Sequence, residues 1–203
     1  SSDTTIDLAS ALWSPASDTM LLAGDRSLWL LDVTSGLLRP LGPDGGPRTG
    51  LMFLPDGEHV SYVEGNDLYV VSIADGRLDR LTSDGSDLII NGGLDWVYNE
   101  ELATRAAQPA YAWSPDASRL IWLRTDDAGV QEHPVTDYRP IPPSVTYTRY
   151  PVTGTANPQV SLHVASLDGG EATQTVSLPA DAEYILPFFA WTPDGQEVLY
   201  ATV

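Results

Sequence analysis

The chain has 203 residues, 42% apolar and 19% charged, with a mean hydropathy of -0.11, values that exclude an acidic disordered tail and predict a soluble globular chain, one domain or part of a larger one. Asp and Glu number 28 against 10 basic residues, all of them arginine, for a net charge of -18. Such a surface repels phosphate backbones and argues against nucleic acid as a partner. In chain order, Trp13-Ser14-Pro15 leads into Met20–Ala23, then Ser27–Asp32, a turn at Thr34-Ser35-Gly36 and Leu37–Leu41. Phe53-Leu54-Pro55-Asp56-Gly57 repeats the pattern with His59–Val63, a turn at Gly65-Asn66, Asp67–Ile73, a turn at Asp75-Gly76 and Arg77–Thr82. Alternating β-branched and aromatic residues between turn residues at hairpin spacing predict antiparallel strands, so each unit reads as a four-stranded meander.

Two further copies of the signature follow, Trp113-Ser114-Pro115-Asp116 and Trp191-Thr192-Pro193-Asp194-Gly195. The signatures start at positions 13, 53, 113 and 191, so the first gap of 40 matches a four-stranded propeller blade and the later gaps of 60 and 78 exceed it. The excess is assigned to two insertions, Asp87–Gln108 between blades and Ala128–Asn157 within the third unit; the latter is proline-rich and expected to be extended. Within each signature, Pro fixes φ, Asp bonds its own backbone, Gly takes the positive φ of a tight turn, and the aromatic fills space between sheets. The predicted class is all-β: a partial β-propeller of about three and a half four-stranded antiparallel blades, residues 1–203 forming part of one propeller domain. Because propeller blades close into a ring and the last strand is interrupted at Tyr200–Val203, the chain is expected to be a segment of a larger protein, and its open edges to favour self-association.

The residues for a complete active site are not found. There is no cysteine for disulfides, thiolate metal sites or nucleophiles, and no Gly-x-Ser-x-Gly elbow. Without lysine a phosphate-binding Gly-x-x-x-x-Gly-Lys loop is impossible. His59, His133 and His163 lack metal-ligand spacing and read as polar residues on strands or loops. Asp84-Gly85-Ser86-Asp87 and Asp126-Asp127 fall short of a calcium loop and read as solvated turns. Neither a metal nor a cofactor is expected. No apolar run approaches the ~20 residues of a membrane span, and cytoplasm and periplasm both remain open.

One segment breaks the period. Asn91-Gly92-Gly93-Leu94-Asp95-Trp96-Val97-Tyr98-Asn99-Glu100-Glu101-Leu102-Ala103-Thr104-Arg105 is expected to form a short helix from Asp95, which caps its start, with Trp96, Val97 and Leu102 pinning it to the sheet and Gln108-Pro109 stopping it. Adjacent helical residues point about 100° apart, so Glu100 and Glu101 taken alone read as two solvated side chains.

Asp95–Leu102 nevertheless resembles the double-glutamate motif of the dipeptidyl peptidase IV family, serine exopeptidases of the prolyl oligopeptidase group. Tyr111-Ala112-Trp113-Ser114-Pro115-Asp116 and Arg149-Tyr150-Pro151-Val152-Thr153-Gly154-Thr155-Ala156-Asn157-Pro158-Gln159-Val160 resemble the family's next blade signature and its Tyr-Pro-x-x-Gly-x-x-Asn-Pro-x-Val stretch, in the same order. The Tyr-x-Glu-Glu and Thr-Gly-Thr-Ala-Asn-Pro forms are similar to the dipeptidyl peptidase 8 and 9 branch and its bacterial relatives. The resemblance covers Leu51–Val203 and is generic blade pattern before that. It implies that Glu100 and Glu101 bind the free α-amino group of a peptide, and that the full protein releases Xaa-Pro dipeptides. The catalytic Ser, Asp and His are implied in a C-terminal α/β-hydrolase domain outside these 203 residues.

The physics agrees with that role. An α-amino group with a pKa near 8 is mostly cationic at neutral pH, and two carboxylates can share its three donors. Anchoring the terminus also presents only the bond after the second residue, about 7 Å along an extended chain. The resemblance further implies an arginine holding the substrate carbonyl. The loop Leu37–Thr49 offers Arg39 and Arg48, of which Arg48 is the candidate, against the plainer reading of an exposed loop arginine. Asn99 stands where some members carry a third acid. Frequent dimerisation in the family leaves a homodimer of the full protein open. The alternative function is a non-catalytic propeller acting as a protein-interaction or peptide-binding module.

Overall fold

The computed structural model describes residues 6–102, 110–168, 173–176, 178 and 186–202. The first blade is β1 (Ile6–Trp13), β2 (Thr19–Gly24), β3 (Leu28–Asp32) and β4 (Leu38–Leu41), an antiparallel meander in that order. The second repeats it with β5 (Arg48–Phe53), β6 (His59–Glu64), β7 (Asp67–Ser72) and β8 (Leu78–Arg80). The third is built on β11 (Arg119–Asp126), which pairs with β14 (Gln159–Ser166) on one side; β14 then carries β15 (Gln174–Thr175). On its other side β11 pairs end to end with two short strands, β9 (Ile89–Asn91) and β10 (Tyr111–Trp113). β12 (Glu132–Asp137) and β13 (Ser144–Arg149) form a separate two-stranded ribbon, and β16 (Phe188–Trp191) with β17 (Val198–Ala201) opens a fourth sheet. The all-β, blade-by-blade organisation expected from the repeats is therefore what the chain adopts.

All four signatures make the same turn. The residue after the aromatic (Ser14, Leu54, Ser114, Thr192) donates its N–H across the hairpin to Thr19, His59, Arg119 and Glu197, and its carbonyl accepts from the residue three positions on. That fourth residue has positive φ in every copy: Gly57 and Gly195 take it without strain, while Ser17 and Ala117 adopt it with a side chain. The signature Asp behaves as expected, its Oδ1 accepting from the N–H two residues on at Asp56, Asp116 and Asp194.

From the second blade on, the signature aromatics pack each blade onto the one before; Trp13 of the first, with no earlier blade among the described residues to cover it, is 54% exposed and does not fill an inter-sheet space. Phe53 joins the cluster of Leu21, Leu28, Leu30 and Leu41, and Trp113 the cluster of Leu54, Val63, Leu68 and Val70. Trp113 Nε1 also donates to buried Ser61 Oγ at 2.9 Å, while Trp191 Nε1 donates to the Ala112 carbonyl at 3.1 Å. Alternation along the strands puts half of each strand's side chains into these inter-sheet layers, and every apolar side chain sealed there removes about 1.5–3 kcal/mol of unfavourable hydration.

The first insertion differs from expectation in position. It does not lie between blades. Gly92 N–H donates to the Leu123 carbonyl and Leu123 N–H donates to the Ala110 carbonyl, both at 2.9 Å, so the excursion leaves and re-enters the first strand of the third blade. Severing that strand at a single β11 residue gives the inserted segment a fixed base in the sheet. The second insertion is the β12–β13 ribbon, extended as its prolines predict.

Candidate functional site

The inserted segment is seated from the backbone upward. Gly92, at φ +71°, sits where a Cβ would come within 2.7 Å of Leu68, so only glycine lets the chain turn off β9 against the second blade. Asp95 follows as the cap: its Oδ1 accepts from Tyr98 N–H at 2.9 Å and its carbonyl from Asn99 N–H at 2.9 Å. The helix expected here is a π-helical turn, Val97–Leu102. Such turns are rare and occur mostly as single-turn bulges, often at functional sites.

Val97 and Tyr98 are buried against Ile121, Leu123, Leu162 and Phe189, with Leu94, Trp96 and Leu102 packed around them. The pinning role expected of Trp96, Val97 and Leu102 holds, and Tyr98 adds to it: its buried hydroxyl accepts the Leu186 N–H at 2.9 Å, tying the turn to the segment that opens the fourth sheet. Glu100 and Glu101, three residues beyond Val97 and Tyr98, are exposed. Asn99 Nδ2 donates to Glu100 Oε1 at 3.1 Å. Two adjacent carboxylates thus face solvent from a turn whose preceding residues are buried. The continuation Ala103-Thr104-Arg105 and the stop at Gln108-Pro109 lie outside the described residues.

Arg48 is not the exposed loop arginine of the plainer reading. It begins β5 opposite Glu64 on β6, and its side chain is only 5% exposed. Nε donates to Glu64 Oε2 at 2.9 Å, Nη2 to the Pro43 carbonyl at 2.8 Å, and the guanidinium lies 4.7 Å from the centre of the Tyr62 ring. Nη1 is buried and has no partner among the described residues. Among the described residues, the polar groups that engage Arg48, Glu64 and the Pro43 carbonyl, belong to the second blade and the loop before it, away from the inserted turn. Arg39 donates to the Ile73 carbonyl.

The surroundings of Asp127 and Tyr150 beside the turn, and of Asp84 beside β9, were not legible in the sequence. Asp127, expected on a solvated turn, is 8% exposed, and its Oδ1 has no partner among the described residues. The available signal was period two: 121, 123, 125 and 127 continue one face of β11, and the first two of them carry Val97 and Tyr98. Tyr150 touches Trp96, ring centres 5.1 Å apart, and stacks on His133 at 4.3 Å. Asp84 is likewise no free turn carboxylate, since it accepts from Asn91 and Arg124, which together hold it below the usual carboxylate range against the opposing effect of burial. His59 and His163 keep the polar strand roles expected of them; His163 stacks on Trp122 and burial lowers its pKa. Among the described residues no group of three or more His, Asp or Glu is placed to hold a metal ion, and no helix is long and apolar enough to cross a membrane.

Residues 7–203 match the family model described as the dipeptidyl peptidase IV (DPP IV) N-terminal region. The chain is 33% identical over 178 residues to dipeptidyl peptidase 4 of Arthroderma otae, covering 83% of this chain and 22% of that protein. It is 30% identical over 191 residues to the probable dipeptidyl-aminopeptidase B of Neosartorya fischeri, covering 86% and 20%. The crystal structure of Porphyromonas gingivalis dipeptidyl peptidase 4 superposes with a TM-score of 0.84 at 28% identity, over 95% of this chain and 29% of that one. The putative dipeptidyl aminopeptidase IV of Bacteroides ovatus shares the fold, with a TM-score of 0.69 at 20% identity. The chain thus spans about a fifth to a quarter of the length of the curated relatives it matches.

Proposed function

The chain belongs to the dipeptidyl peptidase IV N-terminal region family, and on that premise we propose that it forms the propeller part of a serine exopeptidase and that Glu100 and Glu101 clamp the free amino terminus of its peptide substrates. The observation that carries the reading is the exposed carboxylate pair on a turn anchored by Asp95, Val97 and Tyr98. An ammonium brings three donors and a full charge, and each charge-assisted bond contributes about 1.5–3 kcal/mol. A peptide lacking a free amino terminus would leave both acids without that cation, which gives specificity by exclusion. In this reading the nucleophile, Asp and His lie in an α/β-hydrolase domain C-terminal to the propeller, and anchoring the terminus two residues from the nucleophile releases dipeptides of the Xaa-Pro type.

Arg48 holds the weaker place in the proposal. Its Nη1 has no partner among the described residues, but it is buried and would have to be uncovered before it could donate to a substrate backbone carbonyl. The homodimer is assigned to the β12–β13 ribbon, where Tyr138, Ile141 and Tyr147 expose 78%, 99% and 65% of their surface. Several large apolar side chains exposed on one projecting ribbon suit an association site.

The test is kinetic. Glu100→Gln and Glu101→Gln in the full-length protein should each lower kcat/KM for Xaa-Pro substrates about ten- to hundred-fold, and the double change should abolish measurable turnover. Turnover that survives both substitutions rules the clamp out. Binding of free-amino peptides without any turnover by the native protein would instead favour the second reading, a peptide-binding propeller without chemistry.

A further inference from the structure

Beneath the turn, β11 carries polar residues on the face where Ile121 and Leu123 hold Val97 and Tyr98. Thr125 is fully buried and its Oγ1 has no partner among the described residues; the same is true of Asp127 Oδ1 just beyond the strand. Asp127 stands at the base of the ribbon, its N–H donating to the Leu88 carbonyl at 2.9 Å and its carbonyl accepting from Val130 N–H at 3.0 Å. Arg149, on the returning strand, closes the base by donating Nη1 to the Val130 carbonyl at 2.7 Å. From the other side comes Asp95, 5% exposed, whose carboxylate caps the turn. The next residue after each flanking group, Trp96 and Tyr150, meets its counterpart ring to ring. The turn and the ribbon base therefore share one buried seam with an acid on each side.

Two carboxylates in such a seam cannot both ionise cheaply, because burial penalises each charge and each penalises the other. Asp95 is already committed as an acceptor to the Tyr98 N–H, whereas Asp127 Oδ1 has no donor among the described residues, which favours keeping a proton on Asp127.

We infer that Asp127 is a positioning residue that acts through Asp95: with one proton on the pair the Val97–Leu102 turn seats against the third blade and presents Glu100 and Glu101, and loss of that proton drives the turn away from the ribbon base. The inference rests on the clamp reading for its consequence in binding.

The charged and titratable neighbours are consistent with it. Burial first, then the charge of Asp95, pushes Asp127 up to about 6, with Asp126 adding to the shift and Arg149 opposing it. Burial raises Asp95 too, against the N–H groups of Tyr98 and Val97. Arg149 is drawn partly to Glu132, 3.9 Å away on β12, so it neutralises Asp127 incompletely. His133 from β12 and Tyr150 after β13 close the seam as a stacked pair, with His133 Nε2 buried and unpartnered among the described residues.

The test uses the full-length protein and does not depend on turnover. Exchange of the Tyr98 and Asn99 amides, both bonded to Asp95, is followed from pH 5 to 7.5 after correction for intrinsic rates. Protection should fall by about tenfold through a midpoint near pH 6, since one proton can supply at most tenfold per pH unit. Asp127→Asn, which keeps the shape and removes the charge, should hold protection flat across the range. Asp95→Asn should move the midpoint to lower pH, because it removes the second-largest cause of the Asp127 shift. KM for an Xaa-Pro substrate should rise over the same interval in the native protein, with kcat changing little, and lose that limb in Asp127→Asn.

Protection that is independent of pH in the native protein, or that keeps the native profile in Asp127→Asn, overturns the inference. If the exchange profile behaves as stated while Glu100→Gln and Glu101→Gln leave turnover intact, the seam stands and the clamp falls.

Discussion

Two excursions leave the third blade, and they are held in opposite ways. The inserted segment is fixed by Leu123, which bonds Gly92 and Ala110 on either side of it, by the Asp95 cap, and by the burial of Val97 and Tyr98. The ribbon β12–β13 pairs with itself through every residue from Glu132 to Asp137, set against Arg149 to Ser144, yet Val135, Tyr138, Ile141, Val145 and Tyr147 remain exposed. Burial fixes a segment relative to the blade, so exposed acids riding on it occupy a defined place. A self-paired ladder fixes only the segment's internal shape, and its outer faces stay open for contact. The first arrangement suits recognition of a small charged group, and the second suits association with a large surface.

The comparison breaks most readily at Tyr98. Replacing this buried side chain with alanine removes packing on both the third blade and the opening of the fourth, and should cost about 3–5 kcal/mol in urea unfolding while raising KM. If Tyr98→Ala left stability and KM unchanged, the turn would not be held by burial. Tyr98→Phe is the finer cut: the ring stays, but the Leu186 N–H loses its acceptor, for an expected loss of about 1–3 kcal/mol.

A smaller effect is expected from pH. The pKa of Asp127 is raised from 3.8 to about 6 in the folded chain, so its contribution to stability is whole below 3.8 and is lost as pH rises through 6. Asp127→Asn should therefore raise the thermal midpoint above pH 6 and leave it little changed below pH 4; the opposite order would show that the seam favours the ionised acid. The smallest effect belongs to the ribbon. Tyr147→Ala, 65% exposed, should stay within about 0.5 kcal/mol of native stability but weaken self-association in sedimentation, whereas equal sedimentation of the two proteins would remove the ribbon from the dimer proposal.

Much of the architecture was written in local chemistry. The aromatic-x-Pro-Asp-Gly turns and the alternating strands between them could be read from the sequence because a tight turn demands particular φ values and a strand demands period two, and neither depends on distant residues. The double-glutamate stretch was legible too, together with its cap at Asp95 and its anchors Trp96, Val97 and Leu102. What the sequence could not supply was where these pieces meet. That the insert severs a strand and does not join two blades depends on which residues pair with Leu123, and both partners lie far from it along the chain.

Arg48 and Asp127 make the same point at the level of single side chains. Each looked like a surface charge, because loops and acidic dipeptides usually are. Their surroundings were decided by the tertiary structure: β6 brings Glu64 beside Arg48, and the insert and the ribbon base together cover Asp127. Burial and charge pairing are properties of neighbours in space, so the sequence determined the repeating blades and the exposed acid pair, and only the packing of distant segments decided which charges were taken out of water.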